Sequence, residues 1–518
     1  GVALLYGVTG SGKTSVYIRL IQTCLEKGKS AMLLVPEIAL TPQLLGILAA
    51  YFGTQVAVLH SSLSAAERYD QWKRVKSGDA RVVVGTRSAV FAPCTPGLLI
   101  LDEEQEHSYK SESAPRYDAK EVAIWRGAKE KTLVVLGSAT PSIESMYRAK
   151  TGLYRLYTLH QRYNGRPLPE VEIVDMREEL KLGNDTSLSI PLRQRILETR
   201  QAGKQTILLL NRRGNSRALV CIDCRQTPEC PRCSVHLTYH SANSRLMCHY
   251  CGFSMAAPAR CPACGGPLKA IGTGTQKVQQ ELAALFPDME TSRMDADTVS
   301  AVNTHEKILE HFQKENVPVL LGTQMVAKGL NLPNVTLVGV LDGDLSLYSG
   351  GFRAGETTFN MLTQVVGRAG RGDSSGRAVI QTLQPEHQVI GLAAKQDYDG
   401  FYDLEIRLRQ AQAAPPFGDF ALVTFSGQEE GQVLRGAAVF RDSLNAWLRQ
   451  VPEEKCSVLG PAPCVVPKVN YNYRYQLTLR CHMTRPLRQL LAALLRKFSQ
   501  DKANRGVNAY IDVNGYDM

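Results

Sequence analysis

VALLYGVTGSGKT, residues 2–14, decides the fold. Five apolar residues run into Gly7-x-x-x-x-Gly12-Lys13-Thr14, and a stretch of helical pattern follows over about 13–26. A buried strand, a glycine-rich turn and a helix start in that order make a phosphate loop. Glycines (Gly7, Gly10, Gly12) let backbone N–H groups wrap an anion, and the helix N-terminus adds positive potential. Lys13 reaches the outer phosphates and Thr14 serves Mg²⁺. The expectation is an ATP-binding α/β domain.

Outward from the loop, short β-branched runs alternate with helical stretches: 31–35, 56–60, 81–85, 98–102 and 132–137. That alternation predicts a parallel sheet with helices on its faces. Ser64 and Glu67 form a capping box that opens a helix reaching about Lys76. The run LLILD ends on Asp102, with Glu103 next. Ligands of open α/β sheets sit off the carboxyl ends of strands. Asp102 is therefore read as a Mg²⁺ holder and Glu103 as the group that polarises the attacking water. A second set of strands begins near 205, at 206–210, 317–322, 336–342 and 378–383. Within it lies QVVGRAGR, residues 364–371. Read as helix, Arg368 and Arg371 share a face. The pair suits a trans-acting arginine finger, with Gln364 sensing the nucleotide.

The chain has 518 residues, 44% hydrophobic and 21% charged, with a formal net charge of +11. Such a basic surplus fits a polyanionic partner. No apolar run approaches the ~18 residues of a membrane span. Of thirteen cysteines, eight fall in residues 221–264. Four C-x-x-C pairs place Cys221, Cys224, Cys230, Cys233, Cys248, Cys251, Cys261 and Cys264 as thiolate ligands. Eight thiolates make two closed, structural Zn²⁺ sites per chain. Treating pairs as units leaves three arrangements. The nested one, 221/224 with 261/264 and 230/233 with 248/251, is preferred because it pins the insertion where the chain leaves and re-enters the second α/β set. Cys24, Cys94, Cys456, Cys464 and Cys481 are scattered and read as unpaired thiols of a reducing compartment. His249 reads as exposed. Residues 165–200 read as a connector, Pro415-Pro416 as a boundary, and the last hundred residues as α+β. Tyr471, Tyr473 and Tyr475 alternate onto one strand face beside Lys468 and Arg474. They are either core or a base-stacking surface.

GVTGSGKT, LVPEIALTPQ (34–43), GTRSAVFAP (85–93), DEEQEHSYK (102–110), GSATPS (137–142), LLLNRRG (208–214), GTQMVAKG (322–329) and QVVGRAGR stand in the order of superfamily 2 helicase motifs. With the eight cysteines, the chain resembles the primosomal protein N′ family of bacterial replication-restart helicases. The resemblance implies two RecA-like P-loop lobes, a two-zinc insertion in the second and an α+β C-terminal domain. The expected divisions are 1–165, 166–220, 221–266, 267–400 and 401–518. It implies an ATP-dependent 3′→5′ DNA helicase at stalled or abandoned forks, using ATP, Mg²⁺ and Zn²⁺. The implied partners are single-stranded and forked DNA, single-stranded DNA-binding protein and other primosome proteins. It also implies a monomeric, cytoplasmic, nucleoid-associated protein without membrane contact, and a chain that begins at the helicase core, because family members carry a DNA-binding region ahead of the phosphate loop. Thr86, Arg87, Thr323 and Gln324 would touch the strand backbone, and residues 137–140 would couple hydrolysis to lobe closure.

Two departures stand out. The family often reads Asp-Glu-Glu-His, where this chain has Gln105 and a displaced His107. The loop that follows keeps only Tyr109 and Tyr117 as aromatics, so base stacking there is weakened. The rival functions are a translocase that does not unwind, a zinc-stabilised scaffold with a vestigial ATPase, and an RNA helicase.

Overall fold

The computed structural model describes residues 1–37, 40–163, 165–210, 218–221, 223–224, 226–232, 236–240, 244–248, 253–271, 274–294, 304–323, 332–349, 351–370 and 374–515. Arg371, Gln324, Cys233, Cys251 and His249 lie outside them. The chain divides into two compact units. Gly1–Asn211, Glu281–Ser349 and Arg353–Ile406 form the first; Arg212–Gln280, Gly350–Phe352 and Arg407–Met518 form the second.

The first unit starts with β1 (Val2–Gly7), α1 (Lys13–Glu26), β2 (Ser30–Leu34), α2 (Pro42–Phe52), β3 (Val56–Leu59), α3 (Ala65–Ser77), β4 (Val82–Gly85), β5 (Pro96–Asp102), α4 (Ala119–Glu130), β6 (Leu133–Ser138), α5 (Ile143–Lys150) and β7 (Arg155–Leu159). The seven strands form one parallel sheet in the order β3-β4-β2-β5-β6-β1-β7. Its inner strands are apolar on both faces because helices cover both. Leu4, Met32, Leu34, Leu99 and Leu101 fill one side, and Ala3, Leu5, Leu33, Val84 and Ile100 the other. α1 begins where Gly12 adopts φ 84°, a left-handed turn that glycine takes without a steric penalty. The capping box at α3 is formed in full, with the Ser64 N–H donating to Glu67 and the Glu67 N–H to the Ser64 hydroxyl.

The 165–200 connector is more ordered than the sequence pattern suggests. It contains β8 (Glu170–Asp175), α6 (Met176–Lys181) and α7 (Ile190–Gln201), followed by β9 (Gln205–Leu209). The cysteine-rich segment comes next, with β10 (Ala218–Cys221), β11 (Thr238–His240), β12 (Arg245–Met247), β13 (Ser254–Ala256) and β14 (Leu268–Ile271). After α8 (Thr275–Leu285) the chain completes the second sheet with β15 (Thr291–Met294), α9 (Thr304–Lys314), β16 (Val319–Gly322), β17 (Val335–Val340), α10 (Ala354–Val366) and β18 (Arg377–Thr382). That sheet is also wholly parallel, in the order β15-β16-β9-β17-β18-β8. β8 forms its edge, one strand that connector composition concealed.

After α11 (Gln388–Ala394) and α12 (Tyr398–Ala411), the C-terminal part of the second unit follows. It holds β19 (Asp419–Gly427), α13 (Glu430–Leu448), β20 (Cys456–Val469), β21 (Asn472–Cys481), α14 (Arg485–Gln500) and β22 (Val507–Val513). Here the sheet is antiparallel, ordered β20-β21-β19-β22, and Phe425, Phe440 and Phe498 form its aromatic centre.

Candidate nucleotide site and zinc module

The phosphate loop connects β1 to α1. Lys13 Nζ donates to the Gly7 carbonyl at 3.0 Å, which keeps the ammonium inside the turn. Ser11 Oγ is buried there without a partner among the described residues. A buried hydroxyl of that kind suits a polar ligand. Asp102 ends β5, two strands away from β1. The Tyr17 hydroxyl on α1 donates to its Oδ1 at 2.7 Å, and the Tyr109 hydroxyl lies 2.7 Å from its carbonyl oxygen. Burial, then the neighbouring Glu103 charge, raises the Asp102 carboxyl to about 6, while Lys13 opposes the shift. With Thr14, this carboxylate would hold a Mg²⁺ ion that neutralises phosphate charge. Glu103 sits at φ 48°, a left-handed conformation that costs a non-glycine residue about 1–2 kcal/mol. Strain of this kind concentrates at functional turns.

The acidic run is wired to its neighbours residue by residue. Gln105 donates to Glu103 Oε2 at 2.9 Å and accepts from Ser138 Oγ at 2.5 Å. It thus occupies the link between the acidic turn and the Gly-Ser-Ala-Thr segment, where the family pattern often has histidine. Glu104 is 1% exposed and serves as a hub. It accepts from Lys120 Nζ (2.8 Å), the Ser142 N–H (2.7 Å), Ser142 Oγ (3.1 Å) and Ser145 Oγ (2.9 Å). Nothing in the sequence pattern separated this second glutamate from an ordinary acidic loop residue.

α10 brings the second sheet to this site. Gln364 donates to Glu106 Oε1 at 3.3 Å. Glu356 accepts from the Ile143 N–H at 3.1 Å, and Arg353 bridges Glu144 and Glu356 at 2.7 and 3.3 Å. A Cβ placed on Gly367 would come within 2.7 Å of the Thr9 side chain, so the end of α10 lies against the phosphate loop. α10 stops at Val366, however, and Arg368 stands in the turn beyond it. The helical placement read for Arg368 is therefore corrected: Gly367 follows the helix end and Arg368 stands in a turn, while Arg371 lies outside the described residues.

Arg87 and the aromatics of the loop after the acidic run make contacts within the first unit. Arg87 donates to the Ser108 and Lys110 carbonyls at 3.3 and 2.7 Å, so it shapes the loop after the acidic run. Tyr109 is 2% exposed beneath Asp102 and is unavailable to a base. Tyr117 packs edge-on against the exposed Phe91 at 4.9 Å.

In the second unit, β10 pairs antiparallel with β14 and sets Cys221 opposite Leu268. The sulfurs of Cys221, Cys224, Cys261 and Cys264 lie within 4.8 Å of one another. The Cys221–Cys264 and Cys224–Cys261 separations are 3.4 and 3.6 Å. Zn–S bonds of ~2.3 Å in a tetrahedron require sulfurs ~3.8 Å apart, so the cluster fits zinc. This is the outer site of the nested arrangement. Chiefly through hydrogen bonding from the Cys224 backbone, the Cys221 thiol falls to about 7. Cys230 and Cys248 share a small core with Leu219, Leu237 and Leu246. The five scattered cysteines are free, with Cys456 opposite Cys481 across β20 and β21. Of the three tyrosines, Tyr471 precedes β21 in a left-handed turn; Tyr473 and Tyr475 are in the strand. Tyr475 donates to Glu430 at 2.8 Å, and Lys468 Nζ lies 4.6 Å from the Tyr473 ring centre. The Tyr471 N–H donates to the Arg232 carbonyl at 2.7 Å, joining the hairpin to the cysteine-rich module.

A phosphate loop and an acidic strand end on one parallel sheet, closed by a helix from a second, define the class of superfamily 2 helicase cores. Models of known families divide the chain the same way. The DEAD/DEAH box helicase model matches residues 2–149 and the helicase conserved C-terminal domain residues 273–373. The PriA DNA helicase Cys-rich region matches 230–255, and the primosomal protein N C-terminal domain 410–516. Replication restart protein PriA of Treponema pallidum is 40% identical over 98% of this chain and 76% of its own. Those of Bacillus subtilis and Synechocystis are 45% and 42% identical. The chain belongs to the PriA family of replication restart proteins. It spans 64% and 58% of the length of the last two relatives.

Proposed function

We propose that this chain is the motor of an ATP-dependent 3′→5′ DNA helicase that acts at stalled or abandoned replication forks and starts replication restart. The observation that carries the reading is the seating of α10: Gln364 meets Glu106 and Gly367 meets Thr9, so nucleotide chemistry in one sheet is felt by the other. Lys13, Ser11 and the loop amides hold the phosphates; Thr14 and Asp102 hold Mg²⁺. Glu103, oriented by Gln105, takes the proton of the attacking water. Arg368, Arg371 and Gln364 complete the site from the second sheet. Closing and reopening of the sheets moves the chain along one strand and displaces the complement. The parts are a first lobe over 1–165, a second over 166–220 and 267–400, the two-zinc insertion over 221–266 and the C-terminal domain over 401–518. Forked and single-stranded DNA, single-stranded DNA-binding protein and other primosome proteins are its partners. It works as a monomer in the bacterial cytoplasm at the nucleoid. Among the described residues no helix is long and apolar enough to cross a membrane.

The test is steady-state ATP hydrolysis with and without a forked DNA, Lys13→Ala serving as the blank, beside strand displacement on the same fork. Stimulated hydrolysis with displacement is expected. Stimulated hydrolysis without displacement makes the chain a translocase. Hydrolysis that survives in Lys13→Ala refutes the assignment of the loop. Equal stimulation by an RNA fork refutes the DNA assignment.

A further inference from the structure

The segment after β7 crosses the phosphate loop. The Val8 N–H donates to the Leu159 carbonyl at 3.2 Å, and the Tyr163 N–H to the Gly10 carbonyl at 2.9 Å. Arg162 Cγ lies 3.9 Å from the point where a Cβ on Gly10 would stand, and the Tyr163 ring 3.4 Å from the same point on Gly12. Arg162 is only 7% exposed. Its guanidinium has two weak contacts, Nη1 to the Gly370 carbonyl at 3.3 Å and Nη2 to the Gly367 carbonyl at 3.4 Å. Nε is buried with no partner, and no carboxylate pairs with the group among the described residues. Burial alone pulls the guanidinium below its ordinary pKa.

A buried cation without an anion is a costly arrangement, and proteins retain it where an anion arrives from outside. We propose that Arg162 is a further ligand of the bound nucleotide and takes its terminal phosphate. The placement follows from the two ends of the side chain. Its stem lies against Gly10, within the turn whose amides wrap phosphates, and its head lies at the carbonyls on either side of Arg368. The terminal phosphate is the part of a nucleoside triphosphate that lies between the loop and the second sheet. A guanidinium offers a phosphate a fork of N–H donors, which two distant carbonyls do not saturate. Arg162 is carried by the connector between the sheets and contacts both. Capture of the phosphate therefore also fixes residues 367–370, which carry Arg368.

The proposal rests on the nucleotide reading of the phosphate loop, so its test separates the two. Equilibrium binding of a non-hydrolysable ATP analogue and of ADP is measured for the chain, Arg162→Gln, Arg162→Lys and Lys13→Ala, with thermal midpoints recorded alongside. Arg162→Gln keeps N–H donors for the carbonyls and removes the charge. It is expected to weaken the triphosphate analogue by about 10-fold or more, the size of a lost charged hydrogen bond, and ADP by less than about 2-fold. Arg162→Lys is expected to recover part of the loss. Equal weakening of both nucleotides, or none, overturns the proposal and leaves Arg162 as a brace. Lys13→Ala binding both nucleotides like the parent chain would instead refute the loop's own role.

Discussion

Gly137 gives the sharpest test of how the nucleotide site is held. It lies in β6, and a Cβ added there would stand 1.8 Å from the Tyr17 hydroxyl oxygen, 2.8 Å from Cζ and 3.3 Å from Cε1. Tyr17 is 2% exposed within the core of Leu5, Leu33 and Ile100, so its ring can shift only against packed neighbours. In Gly137→Ala the phenol retreats by more than 1 Å and its 2.7 Å bond to Asp102 breaks. Overpacking costs about 1–3 kcal/mol. Losing a hydrogen bond to a charged group costs about 1.5–3 kcal/mol. The lower sum, about 2.5 kcal/mol, lowers the midpoint of a lobe this size by about 5 °C. Mg-ATP turnover falls with it, because Asp102 loses the group that orients it. Tyr17→Phe supplies the internal check. Without the hydroxyl, the nearest atom to the new methyl is Cζ at 2.8 Å, still a clash but a smaller one than the 1.8 Å approach of the hydroxyl oxygen. The double variant is therefore expected to melt above Gly137→Ala alone. A parent-like midpoint for Gly137→Ala, or a double variant that melts lower than it, refutes this reasoning.

Elemental analysis is expected to give about two zinc ions per chain, from eight thiolates at four per ion, and about one in Cys261→Ser; an unchanged count in the variant removes the outer site. Glu104→Ala removes the buried carboxylate that Lys120, Ser142 and Ser145 share, and is expected to destabilise by about 3–5 kcal/mol, with Lys120→Met recovering part in the double variant; thermal melts decide it. Gln105→Ala cuts the link from Glu103 to Ser138. It is expected to lower basal ATP hydrolysis, because Gln105 orients Glu103, and to lose DNA stimulation; retained stimulation would locate the coupling elsewhere.

What the sequence made legible was whatever is local or periodic. Residues 2–14 announce a strand, a turn and a helix in thirteen positions, and the structure follows them to within a residue at each boundary. Cysteine pairs announce themselves by spacing, and antiparallel pairing of β10 with β14 then selects which pairs meet. β8 stayed hidden because an edge strand with charge at alternate positions, Glu170 and Glu172, resembles a solvated connector. Arg368 lies beyond α10 because Gly367 and Gly370 interrupt the helix that the arginine spacing alone suggests. Tyr109 resembled a surface aromatic until the fold turned it beneath Asp102. Arg162 escaped notice because its partners lie more than two hundred residues away.

The same separation in sequence explains why the coupling between sheets had no local signature. α5 begins at Ile143, just beyond Ser142, and the first N–H groups of a helix have no partner within it. Two carboxylates from opposite sides take them: Glu104, beside the acidic turn, accepts from the Ser142 N–H, and Glu356, on α10, accepts from the Ile143 N–H. Both also sit in the positive potential of the helix start, which favours a negative charge there. Under the proposed function, a shift of the acidic turn on engaging Mg-nucleotide would move Glu104, and through the Ser142 N–H would act on the end of α5 that Glu356 grips. Arg353 ties that grip to Glu144 on α5 itself. The two sheets are thus joined by hydrogen bonds of 2.7 and 3.1 Å on adjacent residues, with no soft side chain between those residues, and a motion of one would reach the other along them. Arg162 is the second connection, made through the phosphate loop and the carbonyls beside Arg368. If Asp102 holds the metal and Arg162 the terminal phosphate, as proposed, the two connections answer to different parts of the nucleotide, and release of the phosphate would loosen the Arg162 connection first.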